Sequence, residues 1–155
     1  KFVDVSREGF SFAQQISAHS LIELSRRAAP LMEKRGGGSI VCLSYLGGQR
    51  VVESYHVMGV AKASLEMSVR YLAADLGPLN IRVNALSPAP LNTLSARGVT
   101  GLRDMFNIME ERAPLRRNIT IEEVGDSAVF FMSDLSRAVT GQVLFVDNGY
   151  SVLGI

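Results

Sequence analysis

The sequence predicts an α/β fold: a doubly wound parallel sheet with helices on its faces. Three observations carry this. Short apolar runs bounded by glycine or turn residues alternate with longer stretches of helical periodicity, in the order helix, strand, helix, strand, helices, strand. Strands separated by helices require right-handed crossovers and a parallel arrangement. The composition suits a single packed domain, with 155 residues, 47% hydrophobic and 20% charged. Ligands on such sheets bind beyond the carboxyl ends of the strands. The segments after Leu46, Leu86 and Val146 therefore hold the candidates.

Each element has its own local signal. From about Arg7 to Lys34, apolar residues at Phe10, Ala13, Ile16, Leu21, Leu24 and Ala28 mark an amphipathic helix, and Pro30 predicts a kink or division near its end. Gly36-Gly37-Gly38 connects it to Ser39–Leu46 (SIVCLSYL), a short run that reads as a strand buried on both faces. A helix follows from about Ser54 to Leu76, with Gly77-Pro78 as its stop. Its main stripe is Val57, Ala61, Leu65, Val69, Leu72 and Leu76. A second patch of Val60, Ala63, Met67, Tyr71 and Ala74 exceeds what one sheet contact needs. Ile81–Leu86 (IRVNAL) alternates as a strand. Leu102, Met105, Phe106 and Met109 stand at helical spacing. Thr120–Glu123 (TIEE) has the capping-box pattern before a helix through about Met132, and Gln142–Val146 (QVLFV) is the last strand.

Composition excludes several functions. Sixteen basic against 15 acidic residues give a net charge of +1, and no electrostatic reason to expect nucleic acid or an anionic membrane. A single cysteine, Cys42, excludes a disulfide framework and a multi-cysteine metal site; within an apolar run it reads as a small buried hydrophobe. His19 and His56 are too far apart for a metal-binding pair and read as surface residues, as does the pair Arg116-Arg117. No apolar run approaches the roughly 20 residues of a membrane helix. The chain opens on Lys1 with no initiator Met, signal peptide or targeting segment, so it reads as a cytoplasmic piece of something longer.

The chemistry-bearing constellation begins after the first strand, at Ser44-Tyr45-Leu46-Gly47-Gly48. Ten residues beyond Tyr45 stands Tyr55, and seven beyond that Lys62. Seven residues make about two helical turns, which places phenol and ammonium on one face about 10 Å apart. At a sheet's ligand edge they offer a hydrogen-bond donor or acid and a positive clamp. A Tyr and a Lys at this spacing, taken alone, are more often a half-buried aromatic and a solvated charge.

The wider pattern is more specific. SYLG, Y-x2-M-x3-K, RVNALSPAPLNTLSARG, RRNITIEEVGDSA and TGQVLFVDNGYSVLG, in this order across the chain, closely resemble the carboxyl-terminal part of the enoyl-acyl-carrier-protein reductases, divergent short-chain dehydrogenase/reductases. Ordinary members of that superfamily place Tyr four residues before Lys; here that position is Met58. The longer offset suits conjugate reduction, where negative charge appears on the thioester oxygen rather than on an oxygen borne by the carbon that takes the hydride.

The resemblance implies a Rossmann-type domain of which residues 1–155 hold the last three strands of a seven-stranded sheet, without the amino-terminal dinucleotide-binding half. It implies an oxidoreductase of fatty-acid elongation that reduces trans-2-enoyl-acyl-carrier-protein with NADH, NADPH not being excluded, and that assembles as a homotetramer. Tyr55 would donate to the enolate oxygen, Lys62 would hold the nicotinamide ribose, and Tyr45 would border the acyl pocket. Leu91, Asn92, Thr93, Leu94 and Ser95 would bind the carboxamide and pyrophosphate. Leu94 to about Met109 would form a lid; Met105, Phe106 and Met109 read equally as core. The sequence departs from the family at Ala89, where relatives carry Gly, and at Asn92, where several carry a basic residue. Two other functions fit less of the pattern: a non-catalytic remnant serving as an oligomerisation module, and a short-chain ketoreductase.

Overall fold

The computed structural model of the chain describes residues 1–93, 96 and 101–154. Strands β1 (Gly38–Leu43), β2 (Ile81–Pro88) and β3 (Val143–Val146) form one parallel sheet in that spatial order. β1 pairs with β2 from Gly38↔Ile81 to Leu43↔Leu86, and β2 with β3 from Ala85↔Val143 to Pro88↔Val146. Helices α1 (Arg7–Gln14), α2 (Ser20–Lys34) and α3 (His56–Leu76) precede or link the first two strands, and α4 (Leu102–Arg112) and α5 (Ile121–Met132) link the last two.

The core has two halves, one on each face of the sheet. Ala18, Leu21, Leu65, Val69, Ala73, Val83 and Ala85 join α2 and α3 to one face. Leu86, Met109, Ala113, Ile119, Val124 and Phe131 join α4 and α5 to the other. β2, covered on both faces and both edges, also buries two polar groups. Asn84 donates to Val139 O at 2.9 Å and accepts from Gln142 N at 3.0 Å, so its amide is satisfied within the fold.

Several boundaries differ from the sequence reading, each for a physical reason. The first helix continues through Pro30 to Lys34; the irregularity falls at Gln15–His19, a π-helical turn. The wider turn shifts the helical phase. Ala13, Ala18, Leu21 and Ala29 therefore face the core, while Phe10, Ile16 and Leu24 are exposed. β1 ends at Leu43 and is half-buried rather than buried on both faces, because it is the edge strand among the described residues and Leu43 is 55% exposed. β2 runs on to Pro88 and is buried along most of its length, so the alternation over Ile81–Leu86 does not mark a solvated face. α3 ends at Leu76 with Gly77 as its C-cap, as the sequence predicts, and Gly77-Pro78 then open a 3-10 turn where Pro fits. The reversal falls at Asn80, in the left-handed region with φ 56°, which Asn tolerates. Its carbonyl packs on Gly37 (φ +136°) so closely that a Cβ there would collide.

Candidate active site

At the carboxyl edge the chain leaves β1 through Ser44-Tyr45 into a 3-10 turn, Leu46–Gly48. It leaves β3 through Asp147-Asn148-Gly149 into another, Tyr150–Val152. Asp147, buried, ties the second turn by accepting from Gly149 N at 3.0 Å and Ser151 N at 2.7 Å. Between these turns lies a cleft of 560 Å³ lined by Tyr45, Leu46, Ser87, Met105, Met109 and Tyr150, among others. Met109 is also core, while Met105 lines the cleft.

Tyr55 stands just before α3 rather than on it, as the helix N-cap with φ −104° and ψ 16°. The preceding Ser54 takes φ 60°, a turn that sets Tyr55 against the sheet edge. The Tyr45 and Tyr55 rings meet edge to face, with centroids 4.8 Å apart. They can approach because the intervening contact is glycine on glycine. A Cβ on Gly47 would overlap Tyr55 Cδ1, and one on Gly59 would lie 2.7 Å from Gly47 O. Burial raises the Tyr55 pKa to about 12, and Tyr45 adds to this; burial likewise raises that of Tyr45, with Tyr150 contributing. Both phenols are neutral donors at physiological pH.

Lys62 reaches the end of β1 with its side chain and the following turn with its backbone, and Tyr55 meets that turn at Gly47. Lys62 Nζ donates to Leu43 O at 2.8 Å, and the backbone of Lys62 lies under Gly48. Burial lowers the Lys62 pKa, opposed by Cys42 and Glu66. Lys62 does not line the cleft with Tyr45; it borders a second cleft of 550 Å³ between α2 and β1. Met58, one turn before Lys62, accepts a hydrogen bond from Ser17 Oγ to its sulfur at 3.7 Å and so packs toward the π turn.

The stretch expected at the nucleotide is only partly described. Leu91 packs against the α4–α5 core. Thr93 N donates to Leu91 O at 2.9 Å, and Thr93 Oγ1 accepts from Ala96 N at 3.2 Å, keeping its own proton to donate. Asn92 follows Leu91 on the exposed side; Leu94 and Ser95 lie outside the described residues. Ala89 does not require glycine: it has no positive φ, is buried, and donates to Val146 O at 3.0 Å.

Other candidates fall into place as structure. His19 and His56 are exposed, with His56 stacked on Phe2. Cys42 is half-buried, and burial raises its thiol to about 11. Arg117 is not merely solvated: it holds Glu123 through two hydrogen bonds of 2.6 and 3.0 Å. The sequence reading missed Glu66, whose carboxylate accepts from Ser44 and Gln49 beneath the Tyr45 turn. Its signal was present, since Glu66 follows Lys62 by four residues and so shares its face.

Comparison with known proteins gives the family. A family model described as Enoyl-(Acyl carrier protein) reductase matches residues 1–151. The chain is 58% identical over 154 residues to the enoyl-[acyl-carrier-protein] reductase [NADH] of Bacillus cereus, covering 99% of this chain and 59% of that protein. It is 53% identical over 153 residues to the corresponding [NADPH] reductase of Staphylococcus aureus, covering 99% of this chain and 59% of that protein. The crystal structure of the Bacillus cereus reductase with NADP+ and indole naphthyridinone superposes with a TM-score of 0.96 at 58% identity, over 100% of this chain and 60% of that one. The chain belongs to the enoyl-(acyl carrier protein) reductase family, and it spans about three-fifths of the length of the curated relatives it matches.

Proposed function

We propose that this chain contributes the catalytic edge of an oxidoreductase that reduces trans-2-enoyl-acyl-carrier-protein thioesters, with Tyr45, Tyr55 and Lys62 as its catalytic residues. One observation carries the reading: Tyr55, its proton held by burial, stands beside Tyr45 at the carboxyl end of the sheet, with Lys62 anchored to Leu43 on the same segment.

The residues present fit a nicotinamide nucleotide. Lys62 is a half-buried ammonium whose one hydrogen bond among the described residues goes to Leu43, which leaves donors for ribose hydroxyls. Thr93 keeps a hydroxyl proton for a pyrophosphate oxygen, and Leu91, Asn92, Leu94 and Ser95 would complete that side. NADH, or NADPH as in the Staphylococcus aureus relative, would supply the hydride for the carbon β to the thioester. Negative charge then develops on the thioester oxygen. Tyr55 Oη donates to that oxygen, and the Lys62 charge favours the same build-up. Tyr45 walls the acyl side of the cleft, and Met105 and Met109 give it an adaptable apolar lining.

A ketoreductase would need its phenol four residues before Lys62. Met58 occupies that position and faces Ser17. The complete gene product should therefore consume NADH with a crotonyl thioester and leave a 3-ketoacyl thioester largely untouched. Comparable turnover of the two would overturn the assignment. A cytoplasmic location suits this proposed reaction. The exposed patch of Val60, Ala63, Met67, Tyr71 and Ala74 on α3 supports assembly as a homotetramer, which sedimentation of the complete gene product tests.

A further inference from the structure

Glu66 is a carboxylate only 3% exposed, one turn beyond Lys62 on α3. Both its partners come from the segment after β1. Ser44 Oγ donates to Oε1 at 2.6 Å and Gln49 Nε2 to Oε2 at 2.8 Å. Ser44 and Gln49 bracket Tyr45–Gly48, so a single side chain ties both ends of the turn that carries Tyr45 to the helix that carries Lys62. Between the ties the backbones touch: a Cβ on Gly48 would lie 3.0 Å from Lys62 C and from Glu66 Oε1. For stability alone an apolar side chain would join this turn to α3 at least as well, because a buried carboxylate loses hydration that two neutral donors only partly replace. What the carboxylate adds is geometry. Two charge-assisted hydrogen bonds, fixed at both ends, set where the turn sits along the helix.

We propose that Glu66 is a positioning residue of the reductase reaction, holding the Tyr45 turn on α3 and with it the packing of Tyr45 against Tyr55. The proposal rests on the enoyl reductase reading above. Its consequence is asymmetric. Loosening the turn displaces the phenols on the acyl side, whereas Lys62 keeps its own anchor on Leu43 and the nucleotide side is little affected.

The test uses the complete gene product as Glu66→Ala, Glu66→Gln and Gln49→Ala, with kcat and KM measured for a crotonyl thioester and for NADH. Glu66→Ala should lower kcat about tenfold or more, with KM for NADH changed less than about threefold. Glu66→Gln should recover most of the loss, because its amide still accepts from Ser44 and Gln49 can turn its own amide to match. Gln49→Ala, an exposed position that does not endanger folding, should fall between wild type and Glu66→Ala. It carries the test if Glu66→Ala does not fold. Fluorine NMR of fluorotyrosine-labelled protein, assigned by Tyr→Phe variants, gives a readout independent of turnover. The Tyr45 and Tyr55 resonances should move in Glu66→Ala and Gln49→Ala, while that of Tyr71, 68% exposed on the same helix, stays in place. Unmoved Tyr45 and Tyr55 resonances would overturn the proposal. So would full activity in both alanine variants, or a Glu66→Gln enzyme as impaired as Glu66→Ala. If the wild-type protein does not reduce the enoyl thioester, the reductase reading fails and the resonances alone decide whether Glu66 holds the turn.

Discussion

Tyr55 keeps its proton because its surroundings disfavour the phenolate. Burial is the larger cause and the neighbouring Tyr45 the smaller, and together they raise the pKa from 10.0 to about 12. The sign matters for mechanism. A raised phenol pKa makes Tyr55 a donor throughout the neutral range, so activity that depends on its proton should persist through pH 10.0 and fall only toward about 12. Tyr55→Phe in the complete gene product should lower kcat for a crotonyl thioester by about 10²–10⁴, with nucleotide affinity little changed. A loss below about threefold would remove the phenol from the donor role. Lys62 is the complementary case. Its ammonium is held by Leu43 O and assigned to the ribose, so Lys62→Ala should chiefly weaken NADH binding in a fluorescence titration. An unchanged dissociation constant would count against that assignment.

At the scale of elements, the site depends on how closely the turn after β1 can lie on α3. Gly47 and Gly59 make that approach possible without any unusual φ; what they supply is the missing Cβ. In Gly59→Ala the new methyl would stand 2.7 Å from the Gly47 carbonyl oxygen. Backbone cannot swing aside as a side chain does, so the turn must rise off the helix and the Tyr45–Tyr55 contact must open. The variant should lose about 1–3 kcal/mol of stability and most of its turnover. A urea melt and the crotonyl assay measure these, and wild-type values in both would show that the seam is not needed. This seam also marks where the sequence was legible and where it was not. The parallel arrangement of the three strands and the capping box at Thr120 follow from local patterns, and the structure has both. The glycine seam and the Glu66 ties depend on contacts between residues 8 to 22 apart in sequence. Neither periodicity nor propensity reports such contacts. The phase of the first helix was misread for a related reason. An extra residue in the π turn between Ala13 and Ala18 leaves no local mark in composition, yet it decides which side chains reach the core.

The whole molecule has one side that its own residues do not cover. β1 lies at the edge of the sheet among the described residues, and beside it the second cleft exposes Leu24, Met32, Ile40, Cys42, Leu43 and Met132. An apolar strand edge of this kind templates pairing with other chains. We propose that in the complete gene product further parallel strands continue the sheet from β1, so that residues 1–155 form the carboxyl-terminal portion of a single Rossmann-type domain. The curated relatives, of which this chain spans about three-fifths, support that reading, and so does the half-burial of a strand whose sequence suits full burial. The consequence can be measured on residues 1–155 expressed alone. They should be poorly soluble, because β1 and the α2 face lack a cover. They should also bind NADH weakly, because Lys62 and Thr93 in the proposed site would contact only one end of a dinucleotide, and few contacts do not offset the entropy of ordering so flexible a ligand. Co-expression with the remainder of the gene product should restore solubility, NADH binding and crotonyl reduction together, since one added surface supplies both the strand neighbour and the rest of the nucleotide site. A soluble 155-residue chain that binds NADH tightly by itself would overturn this, and would require a complete nucleotide site within the residues described.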